Sequence, residues 1–313
     1  MPGSAALAHA AANLAALLIM PILVSGVIVR VKARWAGRKG PPLMQLGYDL
    51  WRLWRKRSVH STTSTAVFRV APHVVLLTAL GSACLVPLAG ARPLASFPFD
   101  FVWFAYVWGL GRVALILAAL DTGSAFEGMG AAREATFSAV LEPALFLVAG
   151  ALSLASGAHE LSALLGPPHG GGAGLVVWAA ALVALIIVVQ VETARMPVDD
   201  PTTHLELTMI HEVMILDHSG RELAAVQWAA AIKLYVGLTV LAALLHPPAH
   251  GPAGMAVHLG LCLALAAAIG LSESTLARLK LRVIPQYIVV ALSAGAVALL
   301  AALAMAGRGG GAL

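Results

Sequence analysis

Seven of the chain's 15 acidic residues fall in one stretch, ETARMPVDDPTTHLELTMIHEVMILDHSGRE, as Glu192, Asp199, Asp200, Glu206, Glu212, Asp217 and Glu222. The chain as a whole is 60% hydrophobic and only 11% charged, so this concentration needs a reason. Carboxylates beside an apolar bundle can seat a partner, cap helices or exchange protons once desolvated. The stretch is therefore read as a docking and proton-handling surface at the end of a helix bundle.

Other chemistry is excluded or left open residue by residue. His211-Glu212 begins an H-E-x-x-H metalloprotease pattern, but Ile215 stands where the second ligand belongs. His204 and His211 share a helix face without a third ligand, so no metal site is expected. Thr203-x-x-Glu206 fits a capping box, with Asp200 before Pro201 as a rival helix start. A helix drawn over 204–217 puts His204, Thr208, His211 and Glu212 on one face and leaves Glu206 and Asp217 elsewhere. Glu192 and Arg195, three apart, are expected to pair across one turn.

Outside the stretch, Glu142 lies inside an apolar run, where burial disfavours a charged carboxylate and suits it to proton exchange. With Asp121, Glu192 and Glu273 it is expected to form a water-bridged file of acids at the ends of several helices. Arg112, near the middle of another run, needs an interior partner, and Asp121 is about 2.5 turns further along. The loop DTGSAFEGMGAARE at 121–134 offers only a weak phosphate-loop pattern.

The elements that must position these residues are legible from apolar run length. Eight runs are long enough to cross ~30 Å of hydrocarbon: 5–29, 67–89, 99–120, 136–157, 174–191, 222–245, 254–274 and 284–306. Runs this long without period-two alternation predict helices and exclude a β-barrel. The fold class is thus all-α and polytopic, one integral membrane domain over residues 1–313. A cationic amphipathic helix is expected at about 43–57, lying in the interface plane as a lipid anchor, a partner seat or both. The central loop is placed at about 192–221.

Sixteen of the 20 Lys and Arg fall in the loops after the first, third, fifth and seventh spans. The positive-inside bias puts that side in the cytoplasm and both termini outside. The net charge of +5 therefore reports topology and implies no nucleic acid. The first run lacks the layout of a cleaved signal. Cys84 and Cys262 are solitary and offer no iron–sulfur ligand set. His169, His246 and His250 sit in Gly/Pro turns that preorganise no metal site, and no internal repeat of a typical transporter is found.

Three stretches carry a resemblance. The run Glu192-Thr193-Ala194-Arg195-Met196-Pro197-Val198-Asp199-Asp200-Pro201, with His204-Leu205-Glu206-Leu207 and His211-Glu212, resembles the signature loop of the subunit 1 family of respiratory complex I. Its variant looks most like the membrane anchor of formate hydrogenlyase and related energy-converting NiFe hydrogenases. Residues 120–130 with Arg133-Glu134 and Glu142-Pro143 agree, as do Lys32-Ala33-Arg34, Gly37-Arg38, Gly40-Pro41-Pro42, Gln45 and Asp49-Leu50.

The resemblance implies an anchor in a bacterial or archaeal cytoplasmic membrane beneath a redox arm. The expected partners are a hydrogenase-like large subunit, an iron–sulfur small subunit and antiporter-like membrane subunits. NiFe and iron–sulfur centres belong to those partners, and this chain is expected to bind no cofactor and to hold no catalytic residue. The implied proton path is Asp121, Glu142, Glu192, Glu206 and Glu212 with Arg195. The implied docking set is Arg38, Asp199, Asp200, His204, His211 and Asp217. Lys56-Arg57-Ser58 departs from the family's acid-ended first-loop helix, and hydrogenase-type members take electrons from ferredoxin or formate. No quinone site is therefore expected. The alternatives are a quinone-site subunit of a complex I-type oxidoreductase and an independent ion transporter.

Overall fold

A computed structural model describes residues 2–90, 92–166, 171–199, 209–246 and 251–309. Ten α-helices are described: α1 (Pro2–Trp35), α2 (Gln45–Trp54), α3 (Ala66–Cys84), α4 (Asp100–Asp121), α5 (Ala125–Ser156), α6 (Leu161–Leu164), α7 (Gly171–Glu192), α8 (Gly220–Leu245), α9 (Pro252–Thr275) and α10 (Ile284–Gly309). Short 3₁₀ turns occupy Glu212–Ile215 and Leu281–Val283. No strand occurs among the described residues, and eight helices are long and apolar enough to cross a membrane. The chain is an all-α, multi-pass membrane protein.

α8 is the hub. It packs against α1, α2, α3, α7 and α9, and most of its residues are buried. Small residues on several faces let neighbours approach. A Cβ added at Gly237 would lie 3.0 Å from Val189 on α7. Around this hub α3 packs on α4, α1 on α9, and α10 on both α5 and α7.

The alternation of the spans gathers residues 36–65, 122–124, 193–199, 209–219 and 276–280 at one end, the basic end. α2 lies there against α8 and α1 with no residue fully buried, exposing Tyr48, Trp51 and Trp54. Arg55 stacks 4.4 Å over the Trp51 ring.

Several element boundaries differ from the sequence expectation: α3 ends at Cys84 and not near 89, and two more differ at the basic end. α1 continues to Trp35 instead of ending near 29. The loop expected over 121–134 shrinks to 122–124, because α5 already starts at Ala125 behind an extended Ser124 (φ −76°, ψ 131°). Glycine weakens a helix interior by about 1 kcal/mol, but packing overrides that here. A Cβ at Gly130 would collide with Val213 Cγ1 and sit 2.9 Å from the Ile210 carbonyl, so glycine is what lets the central loop seat on α5.

Candidate functional site

A cavity of about 510 Å³ opens among the elements at the basic end. Its wall is apolar where Val29, Leu46, Val75 and Leu115 face it. It is polar or charged where Arg112, Glu134, Glu192, Arg195, Asp199, His211, Glu212 and Lys233 line it.

The deep end is an ion network drawn from four helices. Arg112 on α4, with its side chain 5% exposed, places Nη1 2.8 Å from Glu192 Oε1 on α7 and Nη2 2.9 Å from Glu142 Oε1 on α5. Gly109 on α4 leaves room for the pair, since a Cβ there would come 3.4 Å from the Glu142 carboxylate, and Gly111 lets α3 approach, since a Cβ there would collide with Thr78 Oγ1. On the other side Lys233 Nζ of α8 lies 2.5 Å from Glu192 Oε2 and 5.3 Å from the centre of the Trp108 ring. Glu192, whose side chain is 4% exposed, is thus held between two cations from different helices. Removing such ions from water costs several kcal/mol each and is tolerated only when each meets its counter-charge in good geometry. The continuous order is Glu142, Arg112, Glu192, Lys233.

A second set of ionic contacts clasps the loop over this cavity. Glu273 on α9, with no side-chain exposure, bridges Lys32 of α1 (2.9 Å) and Arg195 (3.4 Å). Asp199 Oδ1 meets Arg278 at 2.8 Å, while its Oδ2 accepts from the Ile210 and His211 N–H groups, both at 3.1 Å. Arg133 donates to the Met209 carbonyl at 2.7 Å, and the Asp217 N–H donates to Glu127 at 3.1 Å. Burial first, then the nearby Lys233 and Arg195, pulls the His211 imidazole down to about 4. It is therefore neutral at neutral pH and able both to accept and to donate a hydrogen bond.

The structure brings Glu142, Glu192, Arg195, Asp199, His211 and Glu212 to the cavity or its ion network. Asp121 lies apart, accepting from the Thr65 N–H and hydroxyl (both 2.7 Å) and the Phe68 N–H at the start of α3. Arg38 and Asp217 are exposed at the basic end. Asp200, His204 and Glu206 lie outside the described residues, as do His169 and His250. Within the expected helix over 204–217, the described part is helical only as the 3₁₀ turn Glu212–Ile215. The expected Glu192–Arg195 pair is replaced. Ala194 adopts a left-handed φ of 49°, which turns the chain after α7 and sends Arg195 to Glu273 instead. Glu142 is not enclosed as expected, because its side chain is 47% exposed.

Arg112, Glu134 and Lys233 are absent from the sequence-derived candidate set. Arg112 and Lys233 were visible as cations inside apolar runs, which marks an interior partner. What they pair with could not be read from spacing. Among the described residues, no group of three His, Cys, Asp or Glu side chains is placed to hold a metal ion. Outside the cavity, His218 stacks on Phe68 with centroids 4.0 Å apart, and Glu222 lies 3.4 Å from His60. Burial, and secondarily His60, pulls His218 down to about 4.

A family model described as NADH dehydrogenase matches residues 8–304. Hydrogenase-4 component C of Escherichia coli strain K12 is 30% identical over 232 residues, covering 74% of this chain and 72% of its own. Formate hydrogenlyase subunit 4 of the same organism is 28% identical over 279 residues, covering 84% and 88%. An NADH-quinone oxidoreductase subunit of Rhodospirillum rubrum is 26% identical over 183 residues, covering 56% and 54%. A chain in the structure of the membrane-bound sulfane sulfur reductase, an archaeal respiratory membrane complex, superposes with a TM-score of 0.76 at 17% identity. That superposition covers 93% of this chain and 98% of the other, and it shows a shared fold.

Proposed function

The chain belongs to the NADH dehydrogenase family, and from that footing we propose that it is the membrane anchor and proton-path subunit of an energy-converting NiFe hydrogenase of the formate hydrogenlyase type. The observation that carries this reading is the order Glu142–Arg112–Glu192–Lys233, with Arg112 and Glu192 buried at its centre, beneath a clasped loop. Ions are retained inside a membrane bundle where they move charge or protons. Relatives named as a hydrogenase component and a formate hydrogenlyase subunit support the hydrogenase branch.

The basic end faces the cytoplasm in this reading, with both termini outside. There the loop receives a large hydrogenase-like subunit and a small iron–sulfur subunit, which carry the metal centres. Antiporter-like subunits lie beside the chain in the bilayer. Arg38, His211 and Asp217, with Asp200 and His204, form the receiving surface, and Asp199 holds its shape through Arg278 and two backbone N–H groups. A proton enters by the cavity past Glu212, His211 and Glu134, reaches Glu192, and passes by Arg112 to Glu142. Glu206 is assigned to the same path by resemblance alone, and Asp121 belongs to the α3 cap at the same end.

The cavity favours a second reading. Its volume falls in the ~300–1,000 Å³ range of small-molecule sites, and it joins an apolar wall to a charged floor, as an amphipathic quinone needs. Quinone-site inhibitors that stop the intact assembly support that reading, and hydrogen evolution indifferent to them supports the first. Ion flux through the purified chain alone supports an independent transporter instead.

Purification in mild detergent tests the main reading. NiFe and iron–sulfur subunits accompany the chain if it holds, and a stable lone subunit contradicts it. Glu142→Gln is expected to assemble normally and to uncouple electron flow from proton movement. Normal pumping by that variant assigns Glu142 a structural role.

A further inference from the structure

We propose that Trp108 is a positioning residue of the proton path: the face of its indole holds the Lys233 ammonium in place while Glu192 carries a proton. The inference rests on reading the ion network as that path, and it concerns the step in which one charge of the network is left unmatched.

In the structure each cation of the network has a carboxylate. Arg112 meets both Glu142 and Glu192, and Lys233 meets Glu192 at 2.5 Å. A proton bound by Glu192 cancels the negative charge that Lys233 faces. Arg112 still keeps Glu142 at 2.9 Å, whereas Lys233 forms no other ion pair among the described residues. Its side chain is 20% exposed and lines the cavity, which gives a released ammonium somewhere to go. Its departure would leave Glu192 without a neighbouring cation that favours the ionised acid and so drives the proton onward.

The indole prevents that departure. The ammonium lies 5.3 Å from the centre of the Trp108 ring. A cation at such a distance is attracted by the negative face of the π-system, most strongly for tryptophan and where water is excluded. Unlike a carboxylate, that face is the same whether or not a proton has arrived. The ring is 5% exposed and leans on Phe104 with centroids 4.6 Å apart, so it cannot turn aside. It stands four residues before Arg112 on α4, so one helix face presents both the guanidinium that meets Glu192 and the ring that meets Lys233.

Tryptophan is a costly choice at this site. Its Nε1 is buried with no hydrogen-bond partner among the described residues. An unpaired buried donor is destabilising, and phenylalanine would pack there without that penalty. What tryptophan adds is the strongest ring face for a cation. The step itself makes and breaks only O–H bonds: the proton joins Glu192 from the cavity and leaves towards Glu142, with no electron moved.

The test uses vesicles containing the intact complex, with hydrogen turnover and proton translocation recorded together. Tryptophan at position 108 is replaced by its mono-, di- and trifluoro analogues, which keep the ring shape and weaken its face in steps. The ratio of translocation to turnover is expected to fall with each added fluorine while turnover continues. Trp108→Phe, with a weaker ring face, is expected to retain part of the ratio, and Trp108→Leu to lose it. The fluorinated series carries the test even where Trp108→Leu fails to assemble. The same series at Trp103, on the outward side of α4 and 62% exposed, is expected to leave the ratio unchanged. A ratio indifferent to fluorination at position 108, an unmodified ratio in Trp108→Leu, or an equal fall at position 103 overturns the proposal. Glu192→Gln separates two kinds of failure. If that variant loses translocation while the fluorinated series does not, the proton path stands and only the role of Trp108 fails. If it keeps translocation, the path fails and this inference with it.

Discussion

The two ends of the bundle bury polar groups in different ways. From the middle of the spans to the basic end the polar groups are ions in pairs and triads: Arg112 with Glu142 and Glu192, Lys233 with Glu192, and Glu273 with Lys32 and Arg195. At the opposite end they are mostly neutral. Tyr235 donates to the Leu88 carbonyl, and Asn13 donates to the Arg92 carbonyl at 2.8 Å while accepting from the Ala89 N–H at 3.0 Å. Thr239, Cys262 and His258 form a chain of weak contacts at 4.0 and 3.8 Å. The one buried acid described there, Asp100, accepts the Leu161 N–H at 2.5 Å and caps the short α6. Neutral hydrogen bonds suffice to hold helices together in a bilayer. The ion pairs cost more to bury than such packing requires, so their gathering in the half of the bundle towards the basic end marks where it does chemistry.

The sharpest way to break this comparison is to remove one polar group from each side. Arg112→Met leaves Glu192 facing Lys233 alone and Glu142 without a cation. Breaking a buried pair in this way costs about 3–5 kcal/mol. The unfolding midpoint of the purified complex is expected to fall accordingly, and adding Glu192→Gln is expected to restore part of the loss. At the neutral end Tyr235→Phe leaves the Leu88 carbonyl unpaired, which costs roughly 1–3 kcal/mol. An equal or larger loss there would remove the contrast between the ends.

Gly130→Val probes the seat of the loop without touching a charge. Overpacking a well-filled contact costs about 1–3 kcal/mol, and the added carbons collide with Val213 and the Ile210 carbonyl. Protease cleavage within 193–219 is expected to accelerate in this variant while the bundle stays intact.

The effect that vanishes at neutral pH is the one of His218. The unfolded chain protonates His218 below its ordinary value of 6.5, whereas the folded ring, buried against Phe68, resists until about 4. The folded value is lowered, so this contribution is complete above pH 6.5 and drains as pH falls towards 4. The slope is about 1.4 kcal/mol per pH unit for one such group. His218→Gln is expected to flatten the acid limb of a stability-versus-pH curve and to leave stability above pH 7 insensitive to pH, which thermal unfolding at graded pH measures.

Much of the fold was legible because span length is a property of composition. The eight apolar runs map onto eight helices, and the amphipathic pattern at 43–57 onto α2. The start of α5 was not legible, since glycine, alanine and serine read as a loop until the contact of Gly130 with Val213 is known. The candidate site was legible as residue types only. Glu192, Glu142 and Arg195 stood out as ions beside lipid, but local spacing suggested a Glu192–Arg195 pair. The real partners come from other helices. Arg112 finds Glu142 30 positions away, and Arg195 finds Glu273 78 positions away.

Glu192, the acid held between Arg112 and Lys233, is the centre of the network. The direct measurement is hydrogen turnover and proton translocation, recorded together, in vesicles containing the intact complex with Glu192→Gln. The network predicts that turnover continues while translocation is lost. Translocation at the unmodified ratio to turnover would contradict it.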